Sequence, residues 1–111
     1  MSCIFCKIVA GEIPCDKVYE DENVLCFNDI APKAPIHVLV VPKKHAANLL
    51  EVEDEDMLNQ VNFAIKKVVE KFGVAETGFK TIINTGKDGG QTVNHLHFHI
   101  LAGKTFGENL V

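Results

Sequence analysis

The sequence predicts an α+β domain in which one long helix packs on a largely antiparallel sheet of five strands, with a short N-terminal helix. Two observations predict it. Met57, Leu58, Val61, Ile65, Val68, Val69 and Phe72 keep helical spacing over about four turns, and Gly73 marks the exit. Short extended runs occupy Lys17–Glu20, Val24–Asn28, His37–Val41, Phe79–Asn84 and His95–Leu101. Strands grouped in runs around a single long helix belong to α+β architecture.

Each element has a local reason. Ser2 can cap a short helix from Cys3 to Val9, on which Ile4, Phe5 and Ile8 share a face before Gly11 ends it. Asp21-Glu22-Asn23 is a polar turn that makes the first two strands a hairpin. Pro32 and Pro35 make Ala31–Pro35 a loop. Glu53, Asp54, Glu55 and Asp56 crowd the start of the long helix, while Lys66, Lys67 and Lys71 lie toward its end. That order complements the helix dipole, so the acidic run needs no binding partner. Phe79, Thr81 and Ile83 alternate with Lys80, Ile82 and Asn84, and a glycine-rich loop leads into the last strand.

Size and charge narrow the function. A chain of 111 residues, 47% hydrophobic and 23% charged, forms one domain, 1–111, with a core that needs no disulfides. Eleven basic and fifteen acidic side chains give −4, which disfavours a broad grip on nucleic acid. A small anion bound by backbone N–H groups stays open. Val38–Val41, the densest apolar run, stops at Pro42, so no membrane span is expected, and no secretory signal is visible. Cys3, Cys6, Cys15 and Cys26 are therefore expected in a reducing cytoplasm, as thiols or metal ligands.

The chemistry concentrates near the end of the chain. In His95-Leu96-His97-Phe98-His99-Ile100-Leu101 the imidazoles alternate with apolar residues, so a strand would project all three to one face. Core packing does not call for that, since Val or Thr would fill the places with fewer polar groups to satisfy. Proton transfer, nucleophilic attack, metal binding or a division among them all fit such a row. Just upstream, Gly86, Gly89 and Gly90 let backbone N–H groups approach an anion, with Asn84, Gln91 and Thr92 as polar neighbours.

These residues carry a close resemblance. The histidine row is similar to the His-φ-His-φ-His-φ-φ signature of the histidine triad family of nucleotide hydrolases and transferases. Ile4–Ile8 with Gly11–Pro14 resembles the family's opening segment. Asn28-Asp29-Ile30, Ala34–His37 and Pro42–His45 resemble its middle, and Gly90–Val93 its phosphate loop. The nearest branch is the small histidine triad nucleotide-binding proteins, which are purine nucleoside phosphoramidases. The resemblance implies a purine nucleotide or nucleotide conjugate as ligand, a homodimer built through the long helix and its neighbouring strand, and no organic cofactor.

It also implies roles. His97 would attack the α-phosphorus to give a covalent nucleotidyl-histidine that water cleaves. His99 would bond the phosphate or leaving group, and His37 would orient the triad or relay a proton. Asn84, Gly90, Gln91, Thr92 and Val93 would line the phosphates, with Thr92 at the leaving atom. Asp29 would accept from the ribose hydroxyls, with a turn or loop cap before Pro32 as the alternative. Phe5, Ile8, Phe27 and Ile30 would wall the base, or serve as plain core.

Two thiolates from Cys3-x-x-Cys6 with His45 and His95 make a tetrahedral zinc set, as in some family members, and the site would be structural. Buried unpaired thiols are the alternative, and no function is expected of Cys15 or Cys26. Asn28, Asn94 and Thr92 depart from common family residues, and the tail from His99 to Val111 is short, so the leaving group is the least determined feature. A dinucleoside polyphosphate hydrolase, a zinc-dependent hydrolase and a non-catalytic nucleotide-binding adaptor remain as other functions.

Overall fold

The computed structural model describes residues 3–107. Helix α1 spans Ile4–Val9 and α2 spans Glu55–Phe72. The strands are β1 (Lys17–Glu20), β2 (Val24–Asn28), β3 (Ile36–Pro42), β4 (Lys80–Ile82) and β5 (Phe98–Ala102). Every pairing is antiparallel, and the strands lie in the order β1-β2-β3-β5-β4. The expected fold class and all five strands are therefore present. No helix among the described residues is long and apolar enough to cross a membrane.

Both helices have identifiable ends. Asp54 caps α2 by accepting from the Asp56 N–H at 2.9 Å. Gly73 closes it in the left-handed region, φ 67°, which an L side chain enters only with strain. At α1 the cap is Cys3, whose Sγ accepts from the Cys6 N–H at 3.3 Å; the expected cap, Ser2, lies outside the described residues.

The sheet is covered on both faces. Val24, Cys26, Val38, Val40, Phe98 and Ile100, with Leu96, pack against Met57, Val61, Ala64 and Val68 of α2. On the other face Leu25, Phe27, Leu39 and Val41 pack against Phe5 of α1. Two buried faces explain why β2 and β3 read as unbroken apolar runs rather than alternating ones.

Two boundaries differ from expectation. The last strand begins at Phe98 rather than His95. Its partner β3 ends at Pro42, which has no N–H to offer a further rung. The Leu96 N–H turns instead to the Ala46 carbonyl at 2.7 Å. On the outer edge β4 covers only Lys80–Ile82, and Phe79 and Ile83 stand exposed on either side of it.

Candidate active site

The alternation of the histidine row survives the loss of ladder pairing. Leu96, Phe98 and Ile100 enter the core beneath α2, and the imidazoles lie on the opposite face, toward α1. The Phe5 ring meets His97 at 5.0 Å and His95 at 6.0 Å between centroids. Strand β3 brings His37 to the same place. His99 pairs with Leu39 and His37 with Leu101, so the two imidazoles are diagonal neighbours with centroids 5.2 Å apart.

Backbone partners fix the tautomer of each ring, because a carbonyl only accepts and an N–H only donates. His97 Nδ1–H donates to the His95 carbonyl at 2.7 Å, which leaves Nε2 with a free lone pair. His95 Nε2–H donates to the Pro42 carbonyl at 2.7 Å, which leaves Nδ1 free. The Lys33 N–H donates to His37 Nδ1 at 3.0 Å, so His37 carries its proton on Nε2 and donates to His99 Nδ1 at 2.9 Å. His99 is thereby a donor at Nε2. One ring thus presents an unprotonated nitrogen and another an N–H donor.

Burial favours the uncharged form of His37, His95 and His99. Desolvation, helped by His97 and His37 nearby, pushes the pKa of His99 down to about 4, against the partial opposition of Asp29. Desolvation also lowers His37 and His95, with Asp29 opposing it at His37 and the Pro42 bond opposing it at His95. Unfolded histidines titrate near ~6.5, so between that pH and 4 the unfolded chain binds more protons. Stability is therefore full above ~6.5 and falls as pH drops through this window. A fully shifted ring gives a slope of up to about 1.4 kcal/mol per pH unit. Urea midpoints measured from pH 7 to 4.5 should decline steadily, and His99→Asn should flatten the decline. An unchanged profile in that variant would rule out His99 as a source.

The glycine loop is built for a fixed shape. Gly86 and Gln91 exchange bonds, the Gln91 N–H to the Gly86 carbonyl and the Gly86 N–H to Gln91 Oε1, both at 3.0 Å. Gln91 Nε2 donates to the Ala47 and Val93 carbonyls at 2.7 and 2.9 Å, and Asn84 Nδ2 to the Gly89 carbonyl at 2.7 Å. The side-chain N–H groups of Asn84 and Gln91 thus hold the loop, and the Gly90 N–H turns to the Lys87 carbonyl at 3.1 Å, so the exposed Thr92 and the backbone N–H groups of Thr92 and Val93 are those open to a ligand. A Cβ on Gly89 would stand 2.4 Å from the Thr85 carbonyl oxygen, so only glycine fits there.

Asp29 has two local partners. Its Oδ1 accepts from the Ala31 N–H at 2.8 Å, a turn cap, and Oδ2 lies 3.5 Å from His37 Nε2. Further lone pairs on both oxygens remain for hydroxyl donors. The apolar candidates divide. Phe5 and Phe27 are buried and meet edge to face at 5.8 Å, Ile8 is half-buried beside them, and Ile30 is fully exposed. Asn28, a departure from common family residues, donates to Asp16 at 2.9 Å and so braces β2.

A second cluster lies behind the first. The His45 and His95 Nδ1 atoms are 3.1 Å apart, Cys3 Sγ is 3.3 Å from His95 Nδ1, and Cys6 Sγ is 3.3 Å from His45 Nδ1. All four donor atoms fall within 4.8 Å of one another, an arrangement that can hold a metal ion. His95 presents the nitrogen that its bond to Pro42 leaves unprotonated, as a ligand must. Asp29, His37 and His99 also bring donor atoms within 4.8 Å of one another, there through the His37–His99 hydrogen bond.

Sequence reasoning missed the backbone partners: the Lys33 N–H and the Pro42, His95 and Ala47 carbonyls. Backbone groups carry no residue signature, so only the fold identifies them.

A family model, the HIT domain, matches residues 10–106. The chain is 41% identical over 109 residues to the purine nucleoside phosphoramidase of Escherichia coli, spanning 96% of this chain and 92% of that one. Its fold superimposes on a histidine triad protein from Clostridium difficile with a TM-score of 0.94 and 52% identity, over 99% and 97% of the two chains. A HIT family hydrolase from Legionella pneumophila gives a TM-score of 0.93 and 41% identity, over 96% and 97%. With the histidine row, the diagonal His37 and the glycine loop in place, the chain belongs to the HIT domain family.

Proposed function

We propose that this protein hydrolyses purine nucleoside phosphoramidates, or related nucleotide conjugates, through a covalent nucleotide on His97. The observation that carries this reading is the tautomer of His97, whose Nδ1–H is held by the His95 carbonyl and whose Nε2 is left basic. The Nε2 lone pair forms a bond to the α-phosphorus as the P–N bond to the amine breaks, and the amine leaves with a proton. Water then attacks phosphorus and the His97–phosphorus bond breaks. One water is consumed, and a nucleoside monophosphate and an amine are released.

The neutral His99 donates from Nε2 to a phosphate oxygen, and His37 acts by fixing that tautomer. N–H groups at Thr92 and Val93 receive the phosphate charge, Gly90 shapes the turn that presents them, and the Thr92 hydroxyl meets the leaving atom. Asn84 and Gln91 shape that loop. Asp29 takes the ribose, and Phe5, Ile8, Phe27 and Ile30 flank the base. The named activity of the Escherichia coli relative supports this substrate class.

The ion in the second cluster is zinc, held by Cys3, Cys6, His45 and His95. Bond lengths of about 2.0 Å to nitrogen and 2.3 Å to sulfur place tetrahedral ligands roughly 3.3–3.8 Å apart, close to the separations found. Such a closed set ties α1 to the sheet. None of the four cysteines is in a disulfide, and a reducing cytoplasm suits Cys3 and Cys6 as thiolate ligands with Cys15 and Cys26 as free thiols. Exposed Leu58 and Phe63 on α2, and Phe79 and Ile83 beside β4, offer apolar area for a homodimer.

Steady-state kinetics against adenosine and guanosine phosphoramidates, acyl-adenylates and dinucleoside polyphosphates test the activity. Trapping a labelled nucleotidyl adduct separates it from a binding protein without turnover. The Asp29–His37–His99 donor group favours a second reading, a metal-dependent hydrolase. Turnover that persists in excess chelator excludes it.

The ribose contact makes its own prediction. Adenosine monophosphate should bind about ten- to a hundredfold tighter than its 2′-deoxy form, since a charge-assisted hydrogen bond is worth roughly 1.5–3 kcal/mol. Calorimetric titration of both compares them directly. Equal affinities would remove Asp29 from the site.

A further inference from the structure

One loop touches both nitrogens of His37. Asp29 and His37 stand at its two ends, joined by the Asp29 N–H to the His37 carbonyl at 2.9 Å. Inside it the Ala31 N–H donates to Asp29 Oδ1 at 2.8 Å, and the Lys33 N–H to His37 Nδ1 at 3.0 Å. Pro32 and Pro35 lie on either side of Lys33 and restrict the backbone there. Pro35 also sits close against the end of β5, since a Cβ on Gly103 would stand 2.9 Å from the Pro35 Cβ. Lys33 is exposed, so what the loop delivers to the site is its main chain.

Two neutral imidazoles joined by one hydrogen bond can share it in either direction. His37 can donate from Nε2 to His99 Nδ1, or His99 can donate from Nδ1 to His37 Nε2. The second arrangement puts a His37 Nδ1–H against the Lys33 N–H, donor to donor. It also turns the His37 Nε2 lone pair toward Asp29 Oδ2, 3.5 Å away. Both contacts are repulsive, and both partners belong to the same loop. The direction decides what His99 presents at its other nitrogen. Nε2 carries a proton in the first arrangement and a lone pair in the second, and only the first can donate to a phosphate oxygen.

We infer that Lys33 is a positioning residue that acts through its main-chain N–H, setting through His37 the tautomer in which His99 donates to phosphate. The inference rests on His99 as the phosphate donor, and it deepens that reading. It also gives Asp29 a task beside the ribose, since Oδ1 holds the loop and Oδ2 favours the proton on His37 Nε2.

The test replaces the Lys33 N–H by oxygen, through ribosomal incorporation of the α-hydroxy analogue of lysine. The resulting ester keeps the side chain, and its oxygen cannot donate to Nδ1. In wild type, long-range ¹H–¹⁵N spectra should show His37 and His99 protonated at Nε2. A ¹⁵N–¹⁵N coupling should appear across the hydrogen bond from Lys33 to His37. In the ester form part of the population should move to Nδ1–H on both rings. A ligand that needs one tautomer loses apparent affinity in proportion to the fraction left. With about a tenth left, the Kd for adenosine monophosphate should weaken about tenfold, and kcat/KM for an adenosine phosphoramidate should fall equally. Adenosine, which has no phosphate, should bind within about twofold of wild type. Unchanged tautomers in the folded ester form would overturn the inference. Wild-type His37 protonated at Nδ1 would overturn it too, a result that needs no altered protein. Shifted tautomers with unchanged affinity for adenosine monophosphate would leave the loop in control of the proton and fault only His99 as the phosphate donor.

Discussion

His97→Ala should lower kcat by at least about three powers of ten while leaving the Kd for adenosine monophosphate within about threefold. Two features of the site separate these effects. The proposed phosphate contacts lie on a loop that is closed on itself by Gly86–Gln91 and Asn84–Gly89 bonds, none of which involves His97. The proposed attack, in contrast, depends on a single lone pair on His97 Nε2. His37→Ala should cost less, about ten- to a hundredfold, because His37 acts by holding the tautomer of His99 through a 2.9 Å bond. Single-turnover kinetics and calorimetry on both variants provide the comparison. If His97→Ala kept a tenth of the wild-type rate, the nucleophile would lie elsewhere.

The fold was legible wherever side-chain pattern and backbone agree. The spacing from Met57 to Phe72 located α2, and the alternation through His95–Ile100 sorted imidazoles from core residues correctly. Boundaries failed where a partner strand decided them. Nothing within His95–His97 signals that pairing stops, because the cause is Pro42 on β3. The same limit applies to the site. The residue types at His97, His99 and His37 pointed to proton and phosphoryl chemistry, but their tautomers depend on carbonyls and an N–H from distant segments. Gln91 shows the converse. It read as a phosphate donor, and its amide nitrogen turned out to be engaged by Ala47 and Val93. Long-range backbone contacts decide such cases, and they exist only once the chain is folded.

Joint Cys3→Ser and Cys6→Ser substitution should remove zinc and lower the melting temperature on the order of 15 °C. An ion present at a thousandfold its Kd adds about 4 kcal/mol to a folded state that alone can bind it. For a chain of this length each kcal/mol moves the midpoint by roughly 4–8 °C, so the figure is a conservative one. The loss falls on the attachment of α1, since its N-cap is Cys3 and its buried anchor is Phe5. A closed set of two thiolates and two imidazoles has no vacancy for substrate, so per folded molecule turnover should change only a few-fold. The His95 carbonyl that holds His97 belongs to the main chain, and the packing of Phe5 on Phe27, Leu25 and Leu39 persists without the ion. Elemental analysis of protein purified without chelator, followed by thermal melts and kinetics of the double variant, measures each part. Protein free of zinc as purified would leave Cys3 and Cys6 as ordinary half-buried thiols. Zinc whose removal from still-folded protein eliminates turnover would be catalytic, and hydrolysis would then proceed by metal-assisted attack rather than through His97.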